Sequence, residues 1–182
     1  YTKAIELDPK NQYAYFRRGW VYEEMDNMAL AIADYTKTIE LDPAYVASYF
    51  RRGLAYHNTG KLELAILDLT KVIEIDPTHT TAYRNRASAY DDLDKPLLAI
   101  ADYTKAIELD PKNQYAYFRR GWVYEEMDNM ALAIADYTKT IELDPAYVAS
   151  YFRRGLAYHN TGKLELAIAD YTMTIKLDPA DA

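Results

Sequence analysis

The chain has 182 residues, half of them hydrophobic, no cysteine and a formal net charge of −7. That is enough apolar material for one substantial core, or for an elongated array with a thin continuous one. Disulfides, thiol catalysis and cysteine metal sites are excluded, and the acidic balance argues against nucleic acid and anionic membrane surfaces as partners.

No apolar run approaches the ~20 residues of a membrane span. The opening Tyr1-Thr2-Lys3-Ala4-Ile5 is not a signal peptide. It reads as the middle of a helix, which suggests a segment of something longer. The default expectation is a soluble, cytoplasmic protein.

Along the chain one spacing dominates. Pro9, Pro43, Pro77, Pro111, Pro145 and Pro179 recur every 34 residues, each in a Leu/Ile-Asp-Pro triplet. Ala31, Ala65, Ala99, Ala133 and Ala167 keep the same period, as do Tyr15, Tyr49, Tyr83, Tyr117 and Tyr151. Gly19, Gly53, Gly121 and Gly155 form a further column, with Ala87 in the third slot. Self-similarity at such a period signals a stack of supersecondary units. Within a unit, Tyr15, Gly19 and Tyr22 fall at helical spacing, and so do Ala31, Tyr35 and Thr38. The first full unit therefore reads as two helices, over 12–25 and 28–41, linked at Asp26-Asn27. The link is Asn58-Thr59-Gly60 in the second unit and Asp94-Lys95-Pro96 in the third. Pro96 sits in a first turn, where a missing N–H costs little. Pro43 and its equivalents end the second helices because they supply no further backbone donor.

The pattern Tyr15, Gly19, Tyr22, Ala31, Tyr35, Leu41-Asp42-Pro43 resembles the tetratricopeptide repeat. The resemblance spans the chain as one array: a half-unit at 1–11, then repeats at 12–45, 46–79, 80–113, 114–147 and 148–181. It implies an all-α fold, an α-solenoid of antiparallel helical hairpins forming a right-handed superhelix, with first helices lining a concave groove that binds peptides or proteins. The family subgroup that grips a C-terminal carboxylate with Lys and Asn is not matched, because Phe16 and Trp20 occupy the first such pair of places.

A longer period lies on top. Residues 1–66 recur without change at 103–168, an offset of 102, and only then do the copies drift, at Leu67/Ala169, Leu69/Tyr171 and Lys71/Met173. Recent duplication or engineering would each produce this.

Two charged columns stand beside the core face. Arg18, Arg52, Arg86, Arg120 and Arg154 precede the small residue of each first helix. Asp34, Asp68, Asp102, Asp136 and Asp170 occupy each second helix. A charge repeated next to a buried face needs a partner, so Arg–Asp pairs between the helices are expected, bidentate where geometry allows. The alternative is arginines lying along the surface with packed stems.

The first helix is also aromatic on its other side, at Tyr13, Phe16 and Trp20. An exposed aromatic stripe marks a binding surface. The alternative is that these rings pack on the next unit. In the second unit the stripe becomes Phe50 and Leu54, and in the third it turns polar at Arg84. The last two units restore Tyr115, Phe118 and Trp122, then Phe152 and Leu156. Arg17, Arg51, Arg119 and Arg153 lie beside the rings. Glu23-Glu24 and Asp91-Asp92 read as solvated helix ends. Together these residues are the expected peptide groove, apolar in four units and polar in the third, and its duplication permits bivalent binding.

Nothing in the sequence asks for a cofactor or metal: His57, His79 and His159 lack a second histidine at ligand spacing, and no glycine-rich phosphate loop is present. A non-catalytic protein- or peptide-binding scaffold is the leading expectation. The alternative is a structural array that self-associates end to end through uncapped termini.

Overall fold

The computed structural model describes residues 1–179, so the last two positions of the final expected repeat, 180–181, lie outside the described residues. Among these are eleven α-helices. They are α1 (Thr2–Leu7), α2 (Gln12–Glu24), α3 (Met28–Leu41), α4 (Val46–Asn58), α5 (Leu62–Ile75), α6 (Thr80–Asp92), α7 (Pro96–Leu109), α8 (Gln114–Glu126), α9 (Met130–Leu143), α10 (Val148–Asn160) and α11 (Leu164–Leu177). The chain divides into two compact units, Tyr1–Asp94 and Lys95–Ala182, with the boundary inside the third repeat.

Each junction has a local cause. The Asp of each Leu/Ile-Asp-Pro triplet is pushed to an extended conformation, with φ near −140° and ψ near 90° at Asp42, as a pre-proline residue must be. Its carboxylate then accepts from the backbone N–H two residues on: Asp8 from Lys10, Asp42 from Ala44, Asp76 from Thr78, Asp110 from Lys112 and Asp144 from Ala146, at 3.0–3.1 Å. These Asx turns make the Asp-Pro pair a stop and a turn in one.

The capping residue of the next first helix lies three residues beyond the Asp, and the helix begins at the fourth. Asn11 and Asn113 cap with their side-chain oxygens, accepting from Ala14 and Ala116 N–H at 3.0 and 3.1 Å. His79 does the same with Nδ1, at 3.2 Å from Ala82 N. Tyr45 and Tyr147 hold the same place without a side-chain cap bond. Between the two helices of a hairpin the chain needs one left-handed residue. Asp26, Asp94 and Asp128 supply it in three repeats, at φ 54–59°, and Gly60 and Gly162 in the others, at 72–73°.

In the first unit the helices meet through small side chains. Ala14, Gly19, Ala31, Ala55, Ala65 and Ala82 are buried. A Cβ on Gly19 would lie 2.9 Å from Tyr35 Cε1 and 3.2 Å from Asp34 Cβ, so the glycine is there for closeness. Leu69, Val72 and Ala82 form a core cluster, against which Val46, Phe50 and Ile73 pack.

In the second unit Phe118, Ala133 and Tyr137 form the corresponding cluster, supported by Trp122, Tyr124 and Tyr147. Identical sequence is buried differently in the two units. Val21 is 39% exposed and Val123 is fully buried. The α2 helix has only the six residues of α1 before it, whereas α8 follows the full-length α7.

Candidate functional site

Four arginines of the Arg18 column, Arg18, Arg52, Arg120 and Arg154, each form a bidentate pair inside their own hairpin. Arg52 donates through Nε and Nη2 to the two carboxylate oxygens of Asp68, at 2.7 and 2.8 Å. Arg18 with Asp34, Arg120 with Asp136 and Arg154 with Asp170 repeat this at 2.7–2.9 Å. The remaining Nη1 reaches back to a threonine of the preceding second helix. Arg52 donates to Thr36, Arg120 to Thr104 and Arg154 to Thr138, at 2.9–3.0 Å. Arg86 bonds Thr70 likewise at 2.9 Å, while Asp102 is a buried residue of α7 in the second unit. Each guanidinium is also flanked by two tyrosines, such as Tyr49 and Tyr56 about Arg52, with ring centres 5.9 and 5.7 Å away. The charge is therefore neutralised, hydrogen-bonded and covered, which is what burial of an ion demands. Arg52 and Arg120 feel burial first, which disfavours the cation, but the bond to their aspartate and its charge leave the arginine pKa raised. The threonines, Thr2, Thr36, Thr70, Thr104 and Thr138, keep the same 34-residue spacing in the sequence.

The opposite face of the first helices is not uniformly open. Phe118 is only 6% exposed: its ring lies 5.7 Å from Tyr137 and 5.0 Å from Tyr147. This corrects the expectation that Phe118 lines a groove, because the second helix of its own hairpin and the turn before α10 close over it. Phe16 is half-buried in the same way, against Tyr35 and Tyr45 at 5.8 and 5.1 Å. Phe50 packs on the core cluster and stacks on His79 at 4.9 Å. Thus Tyr45 and Tyr147 give up a cap bond and gain a ring contact. Tyr13, Tyr115 and Phe152 are exposed, at 57%, 38% and 45%. Leu54, Leu156 and Arg84 are half-buried. Phe152, with Val148, Ala149, Thr174 and Asp178, lines a shallow cavity of about 350 Å³ in the second unit.

The tryptophans gather the charge. In the first unit the guanidinium of Arg17 lies 4.4 Å from the Trp20 ring centre and that of Arg51 5.9 Å. In the second, Arg153 lies 3.8 Å and Arg119 5.6 Å from Trp122. Glu23 holds Arg51 at 3.2 Å and accepts the Tyr35 hydroxyl at 2.6 Å. Glu125 does the same for Arg153 at 3.3 Å and Tyr137 at 2.5 Å. Glu23 is therefore half-buried and engaged, not a solvated helix end. Its partners lie 12 and 28 residues away, out of reach of any short-range reading. Burial, then the neighbouring Glu125, pushes the Tyr137 phenol well above its ordinary range, and Tyr35 behaves alike beside Glu23. Asp92, which ends α6 in the polar third repeat, has a neighbour in the second: His57 Nε2 of α4 stands 2.9 Å from Asp92 Oδ2.

No helix among the described residues is long and apolar enough to cross a membrane. No curated protein matches the chain. Among solved structures, a crystal structure of MamA is similar at 29% identity and TM-score 0.86, covering 90% of this chain and 95% of that one. MamA from Desulfovibrio magneticus RS-1 shares the fold at 16% identity and TM-score 0.87, over 93% and 96% of the two chains. YrrB, described as having an unusual peptide-binding site, shares it at 21% identity and TM-score 0.82, over 98% and 92%. The model of the tetratricopeptide repeat matches residues 13–45, 46–79, 80–113, 115–147 and 148–181. With nearly its whole length built from that unit, the chain belongs to the tetratricopeptide-repeat family.

Proposed function

We propose that the chain is a non-catalytic scaffold that binds an extended peptide segment of another protein on the first-helix face of its repeats. The observation that carries this reading is the pair of tryptophan–arginine clusters, Trp20 with Arg17 and Arg51, and Trp122 with Arg119 and Arg153. Aromatic and arginine side chains on a partly solvated face are the residues that dominate recognition energies. Exposed Tyr13 and Tyr115, four residues before an arginine of each cluster, extend the same surface. The carboxylates nearest these clusters are already engaged, Glu23 and Glu125 by arginine and tyrosine and Glu126 by the indole N–H of Trp122 at 2.7 Å. They serve geometry rather than proton transfer. Membership of a family of interaction modules and the likeness to YrrB support the same reading.

The test is selection of peptides from a display library on the whole chain, followed by affinity measurement against the double variant Trp20→Ala/Trp122→Ala. The proposal expects a loss of at least about tenfold, since truncating a central aromatic anchor typically costs 2 kcal/mol or more. Undiminished affinity with helicity intact would remove the tryptophan face from the account.

A further inference from the structure

We infer that α6, the polar first helix of the third repeat, is toggled by protons: its N-terminus is tied down when His79 is neutral, and its C-terminus when His57 is protonated. Hairpin geometry alone carries this, whatever ligand the first-helix face takes.

Histidine changes its charge between about pH 5 and 8. Two of the three histidines meet α6, one at each end. His79 is the N-cap. Its Nδ1 accepts from Ala82 N–H at 3.2 Å, and its ring stacks on Phe50 at 4.9 Å. Only an unprotonated ring nitrogen accepts. Protonation therefore removes the cap and sets a positive charge at the helix end that repels it. The charged groups on the elements packed about His79 are Glu74 and Asp76, which close α5, and Arg51, beside Phe50 on α4. Arg51 is bound by Glu23, and Asp76 already accepts from the Thr78 N–H and hydroxyl at 3.0 and 2.7 Å, so neither replaces the lost cap bond.

His57 lies in the last turn of α4, with Nε2 2.9 Å from Asp92 Oδ2. That nitrogen is buried, and the approach is close without being a directed hydrogen bond, so the neutral ring gains little from it. A proton taken from solvent turns the contact into an ion pair, at a helix C-terminus that favours positive charge. The charged groups about it are Asp91 and Asp92 of α6, Lys61 and Glu63 at the start of α5, and Glu23, Glu24 and Asp26 at the end of α2. Only Lys61 among them repels the cation.

The junction before this one has a permanent pair, Glu23 of α2 with Arg51 of α4 at 3.2 Å. One repeat on, His57 stands in the place of Glu23 and Asn85 in the place of Arg51, and Asn85 bonds Thr81 O at 2.8 Å. The permanent pair is thus replaced by one that carries charge only on protonated His57. The two ends respond with opposite sign: the His79 contribution is present at high pH and lost as pH falls, and the His57 contribution is gained.

Amide hydrogen exchange of the whole chain, resolved by residue and corrected for intrinsic rates, tests this at about pH 7.5 and 5.5, where carboxylates stay ionised. Acidification should lower protection at Ala82–Arg84 about fivefold, the worth of a cap. It should raise protection at Asp92 and Leu93 about threefold, the worth of an ion pair partly open to water. The ends of α8, which Asn113 caps and which contains no histidine, report any global change. His79→Asn restores the cap found at Asn11 and Asn113, and should abolish the first change while keeping the second. His57→Gln should do the reverse. No change at either end, both ends moving in the same direction, or changes that persist in the matching variant would overturn the inference.

Discussion

Removing Asp68 tests whether the Arg–Asp column holds the hairpins together. In the parent, the buried Asp68 carboxylate accepts two bonds from Arg52, at 2.7 and 2.8 Å. In Asp68→Ala the guanidinium stays between Tyr49 and Tyr56 with one neutral partner, Thr36 at 2.9 Å. Breaking a buried pair costs ~3–5 kcal/mol. The Arg52 side chain keeps 15% of its exposure and its threonine bond, which puts the expected loss at the lower end, about 3 kcal/mol. Arg52→Met leaves the more deeply buried carboxylate alone and should cost at least as much. Replacing both, Arg52→Met with Asp68→Leu, leaves no stranded charge and should lie within about 1–2 kcal/mol of the parent. Urea unfolding of these four proteins and of Asp68→Leu alone, which closes the cycle with Arg52→Met and the double variant, is followed by circular dichroism. A loss below about 1 kcal/mol for Asp68→Ala, or strictly additive single changes, would refute the reasoning.

Other outcomes follow from the same geometry. Ser48 Oγ and its equivalent Ser150 Oγ are fully buried without a hydrogen-bond partner among the described residues, in a column that is alanine at Ala14, Ala82 and Ala116, so Ser48→Ala should stabilise by about 1 kcal/mol in urea. A Cβ on Gly121 would meet Tyr137 Cε1 at 3.0 Å and Asp136 Cβ at 3.1 Å, both anchored, so Gly121→Ala should lower stability by about 1–2 kcal/mol despite alanine's better helix propensity. Gly60 has open space around it but a φ of +73°, so Gly60→Val should cost about 1–2 kcal/mol from the backbone alone. The raised pKa values of Tyr35 and Tyr137 mean that the unfolded chain loses these protons near the ordinary value of 10.0 while the folded chain keeps them. Stability should therefore fall above about pH 10 by about 1.4 kcal/mol per pH unit for each tyrosine, and Tyr137→Phe should flatten the slope.

The repeat, its helices and the turns were legible because they depend on short-range chemistry. Asp-Pro pairs set the stops, small residues at Gly19 and Ala31 set the approach, and both recur at one spacing. The Arg18–Asp34 spacing of 16 residues is also legible as two charged columns, whereas the threonine behind each arginine comes from the preceding repeat, outside the hairpin pattern. Counting donors would have found it, since a guanidinium with five N–H groups is not satisfied by one carboxylate. The aromatic face was harder. Helical period places Phe16 and Trp20 on one side, yet only the neighbouring turn decides which ring is covered. Tyr45 closes over Phe16, and Tyr147 over Phe118, while Phe152 stays exposed. Val21 and Val123 make the same point with identical local sequence: burial belongs to the neighbours.

The central claim is that the first-helix face receives the ligand. Hydrogen exchange of the whole chain, with and without a peptide selected on it, tests this most directly. The account predicts added protection in α2, α4, α8 and α10, strongest around Trp20 and Trp122. Protection confined to the second helices α3, α5, α9 and α11 would contradict it.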